Sequence, residues 1–131
     1  MKLKIVSKRD ELPTLNPSEK FVHLGFRPSS VDFINLIQRC PGLRMIQMPH
    51  TYYKNMSKIS QYIFQQQDIV TLEGDVWGYR KDIKDDFIID DATLEEIRRL
   101  AGCNVSIDEI ASQMKEKIRI SPELIKYIIE R

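Results

Sequence analysis

The stretch Phe21-Val22-His23-Leu24-Gly25-Phe26 is almost continuously apolar, which predicts a β-strand covered on both faces. The residues that follow predict a helix from Ser30 to about Cys40, because apolar side chains recur there at helical spacing. Pro41-Gly42 ends that helix, and Leu43–Met48 supplies a second apolar strand. A strand, a short crossover helix and another apolar strand predict a right-handed parallel β-α-β unit.

Two more segments extend this pattern on either side. Lys2–Val6 alternates polar and apolar residues, and Ile69–Glu73 is a short apolar run that ends at Gly74. A second crossover helix is predicted from Tyr53 to Gln66, where apolar residues again recur at helical spacing. The predicted fold class is therefore α/β: a small, mostly parallel four-stranded sheet with crossover helices, followed by a C-terminal three-helix unit.

The composition changes after residue 80, where the chain becomes strongly charged, and a boundary is predicted near Asp85. Residues 1–84 are expected to form the small α/β domain, and residues 85–131 a C-terminal helical unit of helix-turn-helix-like outline. Each of its three helices is predicted to begin at a capping residue flanked by an apolar pair, a hydrophobic staple. The caps and helices are Asp90 with Asp91–Ala101, Ser106 with Ile107–Lys117, and Ser121 with Pro122–Glu130.

The composition limits the classes of protein to which the chain can belong. Its 131 residues are 42% hydrophobic and 30% charged, which is typical of one compact domain or one domain with a small appendage. No apolar run approaches the roughly 20 residues that span a bilayer, and the first residues contain no signal-peptide core. A cytoplasmic location without a membrane partner is therefore expected. Cys40 and Cys103 are far apart and are expected to be reduced thiols.

Ligands of open parallel sheets bind outside the carboxyl ends of the strands, where the connecting loops meet. This rule gives one cluster of candidate ligand-binding residues: Arg27, Ser29, Ser30, His50, Asp75, Trp77 and Arg80. The Arg27–Ser30 turn is the most suggestive part, since free N–H groups at a helix start attract an anion that an arginine can hold. The alternative is that the serines only cap the helix and Arg27 ends a strand in solvent.

The sequence gives less support to catalytic or metal chemistry. His23 is expected to be packed within its apolar strand, whereas His50 follows a strand and is better placed for acid–base chemistry. His50 has no identifiable partner, so no catalytic residue is assigned. A small enzyme with a pocket around His50, Asp75 and Arg80 is kept as an alternative. No metal-ligand spacing, glycine-rich nucleotide loop or cofactor motif is visible, so neither a metal nor a cofactor is predicted.

The C-terminal helices resemble a helix-turn-helix in outline, but the predicted turn between the second and third helices is longer than the usual three or four residues. Residues 90–131 carry nine acidic and seven basic side chains, so their net charge of −2 disfavours nucleic acid. The whole chain has a formal net charge of only +1, which excludes capture of nucleic acid by the surface as a whole. A homo-oligomer or another protein contact through these helices is expected ahead of DNA binding.

Four motifs considered together resemble a known family: Phe21–Ser29, Gln38–Pro41, Leu72–Gly78 and Ile120–Leu124. On these motifs the chain is similar, over essentially its full length, to a small family of uncharacterised archaeal proteins found in methanogens, domain of unknown function 1699. The resemblance implies an archaeal, cytoplasmic setting. It implies no activity, ligand or cofactor, because none accompanies that family.

Three functional hypotheses result. The first is a ligand-responsive regulatory or protein-interaction module that binds a small anionic ligand at the carboxyl ends of its strands and uses its helical tail for self-association or a partner. The second is a nucleic-acid-binding transcriptional regulator that uses the C-terminal helices. The third is the small enzyme described above.

Overall fold

A five-stranded sheet lies at the centre of the molecule. The computed structural model describes residues 1–76 and 87–131. Four strands are parallel to one another: β1 (Lys2–Val6), β2 (Phe21–Leu24), β3 (Met45–Met48) and β4 (Val70–Glu73). A short fifth strand, β5 (Phe87–Ile88), is antiparallel to β1, and the strand order is β4-β3-β2-β1-β5. The predicted α/β class and its parallel four-stranded sheet are therefore confirmed.

One layer of helices covers the first face of the sheet. It contains a 3-10 helix (Arg9–Thr14), α1 (Ser30–Arg39), α2 (His50–Lys54) and α3 (Lys58–Gln66). The ring of Phe33 in α1 meets that of Phe64 in α3 edge to face, with centroids 4.8 Å apart. Beneath these rings lie the apolar side chains of alternate strand residues, among them Val6, Val22, Leu24, Ile46 and Met48.

The single helix predicted from Tyr53 to Gln66 is wrong, because the chain breaks there into α2 and α3. Asn55 donates its side-chain amide to the carbonyl of Thr51 at 2.8 Å and ends the first helix. Ser57 then caps α3 by accepting a hydrogen bond from the backbone N–H of Ser60 at 3.1 Å. The break brings the start of α3 to the carboxyl ends of the strands.

The three C-terminal helices cover the opposite face of the sheet. They are α4 (Asp91–Gly102), α5 (Ile107–Met114) and α6 (Pro122–Glu130). All three predicted caps are present, since Asp90, Ser106 and Ser121 each accept a hydrogen bond from the third residue of their helix. The core of this layer joins helix residues such as Ile97, Ile110, Leu124, Ile125 and Ile128 to Leu3, Ile5, Phe21 and Met45 of the sheet.

The predicted boundary near Asp85 lies among residues 77–86, outside the described part of the chain. β5 follows that boundary in sequence, so the C-terminal segment adds a strand to the sheet as well as three helices. The sequence pattern did not predict β5 because two residues are too few to show alternation. Among the described residues, no helix has the length and apolar character that crossing a membrane requires.

Gly74, directly after β4, lies against Ser121, the residue that caps α6. A Cβ atom added at Gly74 would lie 2.4 Å from Oγ and 2.9 Å from Cβ of Ser121, and 3.1 Å from Cδ of Gln47. Ser121 is buried and cannot move freely, since it also caps α6. A glycine is therefore required at this position by the close packing of the helix on the sheet.

We expect Gly74→Ala to lower the free energy of unfolding by about 1–3 kcal/mol, because the added methyl group overpacks this contact. Chemical denaturation measures the change. Adding Ser121→Gly should recover most of the loss, since it removes both clashing atoms while a glycine cap costs only a few tenths of a kcal/mol. Gly42→Ala is the matched control, because nothing lies within 4 Å of a Cβ there. Equal losses in Gly74→Ala and Gly42→Ala would contradict this account.

Candidate functional site

A small polar cavity lies where α1 and α3 begin, beyond the carboxyl ends of the parallel strands. Its volume is about 160 Å³. It is lined by Arg27, Pro28, Ser29, Ser30, Phe33, Tyr52, Asn55, Met56, Ser57 and Ser60. Among these described lining residues none is acidic. The cavity therefore includes the whole predicted Arg27–Ser30 turn, and no acidic side chain among these lining residues would repel an anion.

Three serine hydroxyls form one hydrogen-bonded cluster in this cavity. Ser57 Oγ donates to Ser60 Oγ at 2.9 Å, and Ser30 Oγ lies 3.1 Å from Ser60 Oγ and 3.3 Å from Ser57 Oγ. Ser60 is almost fully buried, so its hydroxyl needs a partner inside the protein. The cluster thus links the first turn of α1 to the first turn of α3.

Both helix starts add positive electrostatic potential to the cavity. The first two amides of each helix, those of Ser30 and Val31 in α1 and of Lys58 and Ile59 in α3, have no acceptor within their own helix. The helix dipoles add a partial positive charge at the same ends. Two convergent helix starts, several hydroxyls and one arginine form a set of donors suited to the oxygen atoms of an anion.

An internal carboxylate already occupies part of the α1 start. Asp32 accepts hydrogen bonds from the N–H of Ser29 at 2.8 Å and completes a capping box, while Arg9 Nε lies 2.9 Å from both of its oxygens. Burial raises the pKa of Asp32, but the hydrogen bonds from Ser29 and the charge of Arg9 outweigh burial and hold it below its ordinary value. Asp32 lies about 200° around the helix from Ser30, so it faces away from the serine cluster.

A larger groove of about 850 Å³ lies on that other side of α1, along the 3-10 helix. Its two arginines are already engaged within the protein. Arg9 pairs with Asp32, and Arg39 Nε donates to the carbonyl of Leu15 at 2.6 Å. Asp10 and Asp32 also line this groove and offset the charge of the arginines. The small cavity is therefore the better anion site of the two.

The remaining predicted site residues fall into a second group. His50 is the first residue of α2, and its Nδ1 pairs with the carboxylate of Glu73 at the end of β4. Asp75 is exposed two residues later, and its carbonyl lies 3.5 Å from Nε2 of Gln47. Trp77 and Arg80 lie outside the described residues, so the enzyme pocket around His50, Asp75 and Arg80 stays a prediction.

Sequence reasoning missed Ser57 and Ser60, which complete the cavity. The signal was present, since a serine three residues before a polar position is a common helix start. It was overridden by the apolar spacing that continues through Met56 and Ile59 and predicts one uninterrupted helix. Their contact with Ser30 joins positions 27 and 30 residues apart, and no local pattern predicts such a contact.

A buried polar seam, formed by His23, Gln47 and Ser121, lies between the sheet and α6. Gln47 Nε2 lies 2.9 Å from His23 Nδ1, and both side chains are buried. Gln47 Oε1 has no hydrogen-bond partner among the described residues. Burial lowers the pKa of His23 from 6.5 to about 4, so its imidazole is neutral at physiological pH. This agrees with the prediction that His23 is a packed core residue.

We expect the stability of the protein to fall as the pH is lowered from 6.5 towards 4, because the unfolded chain takes up a proton at His23 that the folded chain excludes. The lowered pKa corresponds to roughly 3 kcal/mol once the pH is below both values. The free energy of unfolding, measured by chemical denaturation at several pH values in this range, should therefore fall less steeply with falling pH for His23→Gln than for the original chain. His50→Gln, which changes an exposed histidine, is the control. An unchanged slope in His23→Gln would contradict the burial of a neutral imidazole.

Metal binding has no structural support in residues 1–76 and 87–131, where no group of three or more His, Cys, Asp or Glu side chains could hold an ion.

A family model described as a family of unknown function (DUF1699), N-terminal domain, matches residues 2–85. A second, described as a protein of unknown function (DUF1699), C-terminal HTH domain, matches residues 92–130. Comparison with curated proteins and with solved structures gave no match.

Proposed function

The chain belongs to the DUF1699 family, and from its own geometry we propose that it is a regulatory or interaction module that binds a small anion in the cavity between α1 and α3. The convergence of two helix starts on the Ser30, Ser57 and Ser60 hydroxyls supports this proposal above all other observations. The two free cysteines fit the reducing cytoplasm expected from the sequence.

The donors in the cavity fit the phosphoryl or carboxylate group of a ligand. Backbone amides and hydroxyls hold an anion without needing several basic side chains, as they do at other helix N-termini. Arg27 is the one cationic side chain among the described lining residues and adds a charge-assisted hydrogen bond. The expected chemistry is recognition of the anion, since the cavity contains no described histidine, cysteine or carboxylate to act as a base or nucleophile.

We expect inorganic phosphate to raise the Tm of the protein in a saturable way. At a concentration about 100 times Kd, binding adds about 2.7 kcal/mol to the free energy of unfolding, which is several degrees in Tm for a chain of this size. Scanning calorimetry with phosphate, sulfate and acetate measures the effect. Arg27→Gln should weaken binding by about tenfold, because it removes a charge-assisted hydrogen bond.

Arg98→Gln provides the matched control, because it removes one exposed arginine from α4, on the opposite face of the sheet. Its response to phosphate should equal that of the original chain. The proposal is contradicted if none of the anions stabilises the protein, or if Arg27→Gln and Arg98→Gln reduce the effect equally, since the latter result indicates general screening of surface charge.

The helix-turn-helix description of residues 92–130 favours DNA binding as a second candidate function. The geometry of α6 makes it a poor reading helix. Its exposed side chains are those of Pro122, Lys126 and Glu130, while Tyr127 packs against Phe21 with ring centroids 6.3 Å apart. A salt-dependent gel shift with mixed-sequence DNA tests this candidate, and absence of binding at low salt removes it.

A further inference from the structure

β4 is an edge strand of the sheet, and one of its sides is open. The strand order places β4 at one end, so among the described residues no strand lies beyond it. On the inner side, Val70 donates its N–H to a carbonyl of the β3 segment at 3.0 Å, and Gly74 does so at 2.9 Å. Alternate residues of a strand direct their N–H and C=O groups to opposite sides, so those of Thr71 and Glu73 point away from β3.

The outward groups of Thr71 and Glu73 make no backbone hydrogen bond to any described residue. The next outward position, Ile69, is already used, because its N–H donates to the carbonyl of Phe64 at 2.9 Å. The open edge is therefore two residues long. The strand contains neither lysine nor proline, which commonly protect an edge from pairing with another chain. Its unpaired N–H and C=O groups are thus available to a further strand.

A second copy of the chain fits this edge in one antiparallel register. With a two-fold axis at Leu72, Thr71 of each copy lies opposite Glu73 of the other, and the two residues exchange both of their backbone hydrogen bonds. This register satisfies every outward group of both edges. An axis at Thr71 sets Glu73 opposite Ile69, whose N–H is already used. An axis at Glu73 sets two carboxylates opposite each other, which is unfavourable.

The side chains of the two copies are also complementary in this register. On the α6 face of the sheet, Val70 is 42% exposed and lies opposite Gly74 of the second copy, where no side chain obstructs it. On the other face, Glu73 of the second copy lies opposite Thr71, which lines a groove of about 360 Å³ together with Lys54. The pairing therefore brings a carboxylate of one copy to a groove of the other that contains a cation, and this charge complementarity favours a second copy as the occupant.

We propose that two copies of the chain pair through β4, so that the five strands of each copy form one continuous sheet. The opposite edge is less suited to pairing, because β5 is only the two residues Phe87–Ile88. Two outward residues in each copy make a short interface, so the dimer dissociates on dilution.

Sedimentation of the full chain at concentrations from about 1 µM to 1 mM measures this association. We expect the mass to rise from the 15.4 kDa of one chain towards twice that value. Thr71→Glu should weaken the dimer at least about tenfold, because it sets two carboxylates opposite each other in both pairs. Thr71→Glu combined with Glu73→Lys should restore the dimer, since opposite charges then face each other. Ile88→Glu is the matched control, because it adds the same charge to the exposed β5 edge, and it should leave the association unchanged.

Amide hydrogen exchange provides a second measurement that needs no variant. Exchange at Thr71 and Glu73 should slow as the protein concentration rises, whereas Val70 and Leu72, which bond to β3, should not respond. Exchange that does not depend on concentration at Thr71 and Glu73 contradicts the pairing.

Three sedimentation results would also overturn the proposal. The first is a mass of 15.4 kDa at every concentration, whichever other strand the edge accepts. The second is a dimer that Thr71→Glu does not weaken, which indicates another surface such as the C-terminal helices. The third is a folded double variant that fails to restore the dimer, which contradicts the register.

Discussion

The contact between the first turns of α1 and α3 is the constraint on which the candidate site depends. The Ser60 hydroxyl, which burial deprives of water, is satisfied by the hydroxyls of Ser30 and Ser57, and the Phe33–Phe64 pair fixes the same two helices one turn further along. The helices are thereby held with their starts beside one small cavity. Without the chain break at Asn55, α3 would begin elsewhere and its amides would not reach Ser30.

The central strand β3 connects this site to the opposite layer of the molecule. Alternate residues of a strand face opposite sides, so Gln47 enters the polar seam under α6 whereas Met48 packs beneath the helices of the anion site. α6 is used here to cover the sheet, and Arg131 at its end stacks over the ring of Phe21 at 5.2 Å. The C-terminal helices thus complete the core of the α/β sheet, which is a structural role for a unit described as a helix-turn-helix.

Features that depend on neighbours in sequence were predictable, and features that depend on distant neighbours were not. The parallel strands and the caps at Asp90, Ser106 and Ser121 follow from local patterns, and the structure confirms them. The Arg27–Ser30 turn was singled out for the same reason. Ser57 was not, because the apolar period continues through it, and the glycine requirement at Gly74 depends on a serine 47 residues away.

A phosphate titration followed by nuclear magnetic resonance tests most directly whether an anion binds between α1 and α3. When phosphate is titrated into the ¹⁵N-labelled protein, the amides of Ser30, Val31, Lys58 and Ile59 should show the largest chemical-shift changes, and all four should saturate with one dissociation constant. Arg27→Gln should shift that constant to higher phosphate. Changes that are largest at the starts of α4 or α5, or that spread over the surface without saturating, would contradict an anion site between α1 and α3.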